Sequence, residues 1–500
     1  MKKHLFALCA LSLTIGGLGI FSSCGSSEPS LTLATPTALQ QKFMDQEVGA
    51  FFHFSINTFT GDEHGDGGRP ASAFNPQDLD IDQWMEAAQN IGAKYAILTV
   101  RHEDGFCLWP TATTEYCVRN SPWKNGHGDV VREFVDACRR HNILPGLYFS
   151  PNYNGNEIFR DPDRPVSWGR HWDSLTRVSF SDTAFCTRYR QLEIDQITEL
   201  MTQYGPIFYL WMDHWNAAKG QQNDVCRTIT DLVRKLQPDC LLSGPDVRHP
   251  GTEKGIVIYP LWNAVNTVDS TMYTRPVKNT LDKSVANTYG LLETDVIMGH
   301  PEGQFWRNVE CPTDAPFNHG GWFWHHELQK LSLDKLMDYY YRTVGLGANI
   351  VINLPPDRAG RIPDETMEAT RAFGQEFDRR FGHLTHETSE PIQGIEAELR
   401  WDTPEPINHI LLMEDLSQGQ RVIAYSLEAW VDGAWQPLTP MNHFLDTPEG
   451  FVSDVGFETI GHKKIDRVKP VVTNRIRWRC QRSVTPQVGL LKMAAWNVED

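Results

Sequence analysis

Apolar and polar positions between residues 37 and 380 follow two alternating rhythms. Short unbroken apolar runs at 48–54, 95–100, 146–150, 207–212, 240–243 and 349–354 read as buried strands. Between them the apolar residues recur at helical spacing. Trp84, Ala87, Ala88 and Ile91 form one face; Val130, Val131, Phe134, Val135 and Cys138 form a second, with Asp129 placed to cap it. A third face carries Leu192, Ile197, Leu200, Met201 and Tyr204 and closes at Gly205; a fourth carries Ile229, Leu232, Val233 and Leu236. Repeated strand–helix units imply a parallel sheet, and this many predict an α/β fold with a closed (β/α)8-like barrel. A doubly wound open sheet is the competing architecture. It usually announces a Gly-rich nucleotide turn after its first strand, and this chain has none there. Between 250 and 345 the pattern leaves one or two units undefined.

Residues 380–393 are polar and irregular and read as a linker. After them the period drops to two: Ile395, Ala397, Leu399 and Trp401 alternate with Glu396, Glu398 and Arg400. A strand-like run at 421–431 leads into Asp432-Gly433, a hairpin turn signal. Ile476, Trp478 and Cys480 alternate again, so 390–500 is expected to be a small β-sandwich. At the other end, Lys2 and Lys3 precede an apolar stretch, and Ser22-Ser23 lead to Cys24. This is a secretory signal over residues 1–24, and its end resembles a bacterial lipoprotein box. That resemblance makes Cys24 the lipidated first residue of the mature chain, with 25–36 as a tether. An exported protein held in the envelope by an N-terminal lipid anchor is expected. No later run is long enough to span a bilayer.

A net charge of -17 argues against nucleic acid as a partner. The compartment permits disulfides, but the eight cysteines left after Cys9 and Cys24 show no zinc-type spacing, so buried thiols are expected and no metal or other cofactor. Candidate chemistry gathers at the predicted strand ends, the catalytic face of such a barrel. His53 falls near the end of the first strand, and Arg101-His-Glu-Asp-Gly-Phe106 follows the second. Tyr148 lies in the third, Asp213 ends the fourth between Trp211 and Trp215, and Arg248 follows the fifth. Asp213 taken alone also fits a helix or turn cap. Converging His, Arg, Asp and aromatic residues describe a polar pocket with apolar walls. Two carboxylates across such a pocket are what glycosidic bond cleavage requires.

The motifs carry a resemblance. Gly49-Ala-Phe-Phe-His-Phe-Ser-Ile-Asn-Thr-Phe59, Phe74-Asn-Pro76, Asp104-Gly-Phe-Cys-Leu-Trp-Pro110, Val118-Arg-Asn-Ser-Pro-Trp-Lys-Asn-Gly126, Gly146-Leu-Tyr148, Gly244-Pro-Asp-Val-Arg248, Gly321-Trp-Phe-Trp-His325 and Asn353-Leu-Pro-Pro-Asp357 resemble the α-L-fucosidases of glycoside hydrolase family 29. Within them the chain looks like the branch acting on α-1,3/1,4-linked fucose. Glu414-Asp415, Gly419-Gln-Arg-Val422 and Thr459-Ile-Gly461 extend the likeness into the last domain. The resemblance implies a retaining exo-glycosidase acting on a glycan, with Asp213 as nucleophile and Glu310, in Val309-Glu-Cys311, as acid/base. Glu302 and Glu293 stay open as the acid. The same resemblance makes His53, His102, Tyr148 and Arg248 sugar contacts and Trp322 a pocket wall. A retaining pair is expected about 5 Å apart.

Three departures fall where the sugar would bind. The family's usual His-His-Asp-Gly-Phe is His102-Glu103-Asp-Gly-Phe106, its Glu-Trp-Gly is Glu63-His64-Gly65, and the Gly after the nucleophile is His214. His64, Glu103 and Trp211 therefore join the candidate substrate-binding residues. A fucose-like sugar such as L-galactose or a modified fucose is one alternative substrate. A non-catalytic glycan-binding lipoprotein is the alternative of another class. The aperiodic stretch 152–185, with Tyr153, Phe159, Trp168 and Trp172, is expected to shape the leaving-group site together with Trp215.

Overall fold

A computed structural model describes residues 32–151, 154–159, 183–213, 222–249, 255, 257, 259–266, 298–313, 321–325, 332–442 and 456–499. Leu33–Asp500 is one compact unit. Eight of its strands form a single row of parallel pairs. They are β1 (Val48–Phe52), β2 (Tyr95–Arg101), β3 (Leu144–Phe149), β4 (Tyr209–Met212), β5 (Leu241–Leu242), β6 (Val247–Arg248), β9 (Asn308–Thr313) and β10 (Asn349–Asn353). Their order is β5-β4-β3-β2-β1-β10-β9-β6. The two ends of the row, β5 and β6, follow each other in the chain and are linked by a bridge between Ser243 and Val247, so the barrel is nearly closed. A small hairpin of β7 (Ala264–Val265) and β8 (Phe305–Trp306) precedes β9.

Continuous apolar runs make these strands because both faces are buried, one against the barrel interior and one against the helical ring. All residues of β1, β2, β9 and β10 are buried. The helices cover them where the periodic faces predict. Asp80 and Asp129 cap the helices Ile81–Asn90 and Val130–Arg140 by accepting the amides of Gln83 and Arg132. The helix expected from Leu192 starts earlier, at Thr183, and ends at Gln203. The stretch 250–345, whose units the sequence pattern left undefined, supplies β9 and the helix Leu333–Arg342. Arg248, expected to follow the fifth strand, instead ends a sixth.

The last domain is a seven-stranded antiparallel arrangement, ordered β11-β17-β13-β16-β14-β15 with β12 beside β17. Its long strands β13 (Glu396–Glu414) and β16 (Lys464–Ser483) carry register shifts. The bend lets Ala397 and Leu399 share one core with Ile407, Ile410 and Leu412 of the same strand. The hairpin β14 (Val422–Val431) to β15 (Ala434–Pro437) turns at Asp432 and Gly433, both at positive φ (53° and 81°). Asp tolerates this and Gly adopts it freely, which is why that dipeptide sits there. The expected linker contains two short strands, β11 (His386–Glu387) and β12 (Ile392–Gln393), that pair with β17 (Gly489–Trp496). Leu411, Ile465, Ala494 and Trp496 of this domain belong to the barrel's own core cluster.

Among the described residues no helix is long and apolar enough to cross a membrane. Cys107, Cys117, Cys138, Cys226, Cys240, Cys311 and Cys480 are free thiols, all but Cys480 buried. Cys24 and the expected signal and tether lie outside the described residues, apart from the last few positions of the tether. Most of the stretch expected to shape the leaving-group site, with Tyr153, Trp168, Trp172 and Trp215, also lies outside them.

Candidate active site

The carboxyl ends of the strands bring a row of rings together. His102 follows β2, Tyr148 is the fifth residue of β3, Trp211 the third of β4, and His249 follows β6. Their rings stack in that order: His102 on Tyr148 at 5.3 Å and 16°, Tyr148 on Trp211 at 5.3 Å and 19°, Trp211 on His249 at 4.6 Å and 29°. Tyr148 and Trp211 are register partners on adjacent parallel strands and so face the same side, which makes them neighbours in the stack. Beside this row, 6.1 Å from His102 and 6.0 Å from Tyr148, His53 lies 4.9 Å from Trp322 and edge-on to Phe323 at 5.5 Å. His53 Nδ1 donates to Asn353 Oδ1 at 2.9 Å, and Asn353 Nδ2 donates to the Trp322 carbonyl at 2.7 Å. Burial holds the imidazoles of His53 and His102 below the ordinary histidine range, His53 far below it, with each other's proximity adding to this at His53. Both are neutral at pH 7 and can donate through one nitrogen and accept through the other.

Asp213 directly follows β4, and its amide donates to the Phe149 carbonyl at 3.0 Å. The Tyr148 hydroxyl donates to its Oδ2. Burial and the neighbouring Asp213 charge push the Tyr148 phenol well above its ordinary range, so it stays a donor. A half-buried carboxylate oriented by a phenol, beside neutral imidazoles and aromatic walls, is equipped to attack an electrophilic carbon.

Glu310 is elsewhere. It is the third residue of β9, level with Asn349, the first residue of β10. Asn353, which holds His53, is four residues further along β10, about 13 Å at roughly 3.3 Å per residue. Glu310 is fully buried in the barrel floor and its two oxygens are filled. Oε1 accepts from the Tyr95 hydroxyl at 2.7 Å; Oε2 accepts from Trp211 Nε1 at 2.9 Å, His249 Nε2 at 3.0 Å and the Tyr209 hydroxyl at 3.2 Å. Burial pushes its carboxyl up to about 7, and these donors pull the other way. His249 is held down to about 3 by burial and the nearby Arg307, so it is the neutral imidazole that donates. The charge of Asp213 acts on His102 and Tyr148, whereas that of Glu310 acts on Tyr95 and Tyr209. The two carboxylates thus act on different rings, joined through Trp211, which donates to Glu310 and stacks on Tyr148, the donor to Asp213. Gly49 explains how Tyr95 gets there: a Cβ at position 49 would lie 2.4 Å from the phenol ring.

The departures at 64 and 103 meet in space. His64 Nδ1 lies 2.9 Å from Glu103 Oε2; the His64 side chain is 44% exposed and that of Glu103 only 4%. Both charges reach His102. Arg248 is buried, with its guanidinium donating to the Trp262 carbonyl. Sequence reasoning missed three supporting residues. His249 and Asn353 are two; a polar residue directly after or at the end of a barrel strand was the available signal. Glu63 is the third: its carboxylate accepts the Trp322 amide at 2.9 Å, the Phe323 amide at 3.4 Å and His325 Nε2 at 2.5 Å. Nothing local in the sequence couples position 63 to 322. Among the described residues no cluster of His, Cys, Asp and Glu could hold a metal ion.

Residues 69–379 match the alpha-L-fucosidase family. The chain belongs to that family. Membership makes it a glycoside hydrolase. Alpha-L-fucosidase 1 of Arabidopsis thaliana is 30% identical over 370 residues, spanning 73% of this chain and 64% of the relative. The crystal structure of a glycoside hydrolase 29 family member from an unknown rumen bacterium superposes with a TM-score of 0.73 at 29% identity, covering 94% of this chain and 78% of its own. A family 29 fucosidase of Ruminococcus gnavus, solved in complex with fucose, shares the fold at a TM-score of 0.70 and 21% identity, over 95% of this chain and 98% of its own. The barrel and the antiparallel domain are thus both part of the family architecture.

Proposed function

We propose that this protein is a retaining exo-glycosidase that releases α-linked L-fucose, from α-1,3 or α-1,4 linkages, with Asp213 as nucleophile. The observation that carries this reading is Asp213 at the end of β4, held by the Tyr148 hydroxyl among neutral imidazoles. Asp213 attacks the anomeric carbon as the glycosidic C–O bond breaks and the aglycone leaves with a proton from the acid/base; water, deprotonated by the same group, then hydrolyses the glycosyl ester and frees Asp213. The ring row of His102, Tyr148 and Trp211 and the Trp322 wall bind the sugar. Glu310, saturated with donors in the barrel floor, fixes the Trp211 edge instead of serving as the acid.

The acid/base then comes from a carboxylate on a loop following a barrel strand. Glu63 and Glu103 are engaged by His325 and His64. Glu253, five residues beyond Arg248 in the chain and outside the described residues, is the candidate proposed from sequence alone. The test uses Asp213→Ala, Glu310→Ala and Glu253→Ala with an aryl α-L-fucoside and azide. Asp213→Ala is expected to lose turnover and form a glycosyl azide of inverted configuration with azide. Glu253→Ala should give the retained azide product, and Glu310→Ala no azide rescue. Retained azide product from Glu310→Ala instead would restore Glu310 as the acid/base.

A second reading rests on the His64–Glu103 pair. It puts an additional carboxylate and imidazole beside the sugar pocket, suited to a fucose-like sugar with one more hydroxyl, such as L-galactose. Turnover of an aryl α-L-galactoside equal to or above that of the fucoside would favour it. The lipid anchor is likewise proposed from sequence alone: Cys24→Ser is expected to move the protein from the membrane fraction to the soluble fraction.

A further inference from the structure

The antiparallel domain grips one barrel segment through side chains. Gln420 is 3% exposed, and its carboxamide pairs both ways with backbone: Oε1 accepts the Asn263 amide at 3.0 Å and Nε2 donates to the Leu261 carbonyl at 2.8 Å. Thr459 completes the grip. Its hydroxyl accepts the Leu261 amide at 3.3 Å, and its carbonyl accepts the Tyr259 hydroxyl at 2.6 Å. Glu414 holds the two gripping loops together, accepting the amides of Arg421 at 2.6 Å, Val422 at 3.0 Å and Gly461 at 3.1 Å. These residues are the three motifs of the last domain singled out in the sequence, and no step of the proposed chemistry uses them.

The gripped segment hydrogen-bonds on more than one side. Leu261 and Asn263 present their backbone to the clamp, and between them the Trp262 carbonyl takes the Arg248 guanidinium. The Trp262 amide donates to Met298 at 2.7 Å, and the Arg307 amide to the Asn263 carbonyl at 2.9 Å. Arg248 ends β6, and the next residue, His249, stacks on Trp211 and bonds Glu310. A buried guanidinium has few alternative acceptors, so where the Trp262 carbonyl stands sets where the end of β6 stands.

We infer that Gln420 and Thr459 are positioning residues, through which the antiparallel domain sets Arg248 and His249 behind the ring row of the active site. The kinetic part rests on the proposed fucosidase reading; the structural part does not. The experiment uses the full chain. Gln420→Ala should lower kcat/KM on an aryl α-L-fucoside about tenfold at 25 °C, well below its Tm. Combined with Arg248→Lys it should cost no more than Arg248→Lys alone, because Gln420 acts through the Arg248–Trp262 contact. Arg400→Ala, on an exposed pair with Glu398, should change nothing and serves as the control. Hydrogen exchange gives a readout that needs no substrate: peptides covering both 259–263 and 246–249 should exchange faster in Gln420→Ala. If Gln420→Ala does not fold, Gln420→Glu keeps the acceptor for Asn263 and should show the same pattern more weakly. A lower Tm with unchanged rate, additive losses with Arg248→Lys, or faster exchange confined to 259–263 would each overturn the inference. A wild-type protein without fucosidase activity would sink the functional reading alone, and the exchange result would still decide the clamp.

Discussion

Glu310 shows how far a single residue's environment departs from its chemistry in water. Its folded carboxyl titrates near 7 because burial disfavours the charge more than four donors favour it. The folded state therefore holds a proton that the unfolded chain releases above its ordinary carboxylate range. Its contribution to stability is full at low pH and is lost as pH rises through about 7. Asp104 behaves alike: burial raises it to about 7, with one oxygen accepting the Phe106 amide at 2.8 Å and the other buried with no partner among the described residues. Thermal melts of the wild type should thus lose stability between about pH 5 and 7, and Asp104→Asn should flatten that decline. An unchanged slope in the variant would mean that Asp104 is ionised throughout. Asp213→Ala should lower kcat by at least a factor on the order of 10⁴ with Tm nearly unchanged.

At the scale of elements, the site is assembled by loops that tie to one another. The loop after β1 reaches the 321–325 segment through Glu63, and reaches the loop after β2 through His64 and Glu103. Glu63 fixes the Trp322 wall by accepting its amide. Glu63→Ala removes an acceptor from two amides and an imidazole. KM should rise about tenfold, equivalent to about 1.4 kcal/mol, with a smaller change in kcat. A kcat loss at constant KM would contradict a wall-positioning role. Glu103→Leu should discriminate more sharply among sugars: a loss larger on the galactoside than on the fucoside supports a hydroxyl reader, and equal losses do not.

For the whole molecule, the decisive feature is a core that ignores the domain boundary. Trp496 is 2% exposed, donates its indole N–H to the Arg380 carbonyl at 2.7 Å, and lies 5.3 Å from the His409 ring and 6.4 Å from that of Phe381. Tyr341 from the barrel meets His409 at 2.8 Å. Barrel and antiparallel domain should therefore unfold in one cooperative transition in urea, with Trp496→Ala costing about 3–5 kcal/mol. Two separated transitions, with only the later domain shifted by the substitution, would refute a shared core.

Periodicity alone determined the larger plan. Unbroken apolar runs and helical faces have few ways to bury themselves, so the parallel barrel, the switch to an antiparallel domain and the Asp432-Gly433 hairpin were legible in the sequence. Strand-end position likewise brought out His53, His102, Tyr148 and Asp213, since a barrel has only one face where such residues converge. Short strands such as β6 were not legible, because two residues carry no period. Only the tertiary structure decided depth and partnership. Whether Glu310 lies in the pocket or beneath it depends on strand register and barrel tilt, which local sequence does not encode. The same holds for Glu63 beneath Trp322, for Glu103 facing His64, and for Gln420 reaching 157 residues back to Asn263. A side chain's chemistry is written at its own position. Which donors and charges surround it is set by segments far along the chain, and these meet only when the core closes.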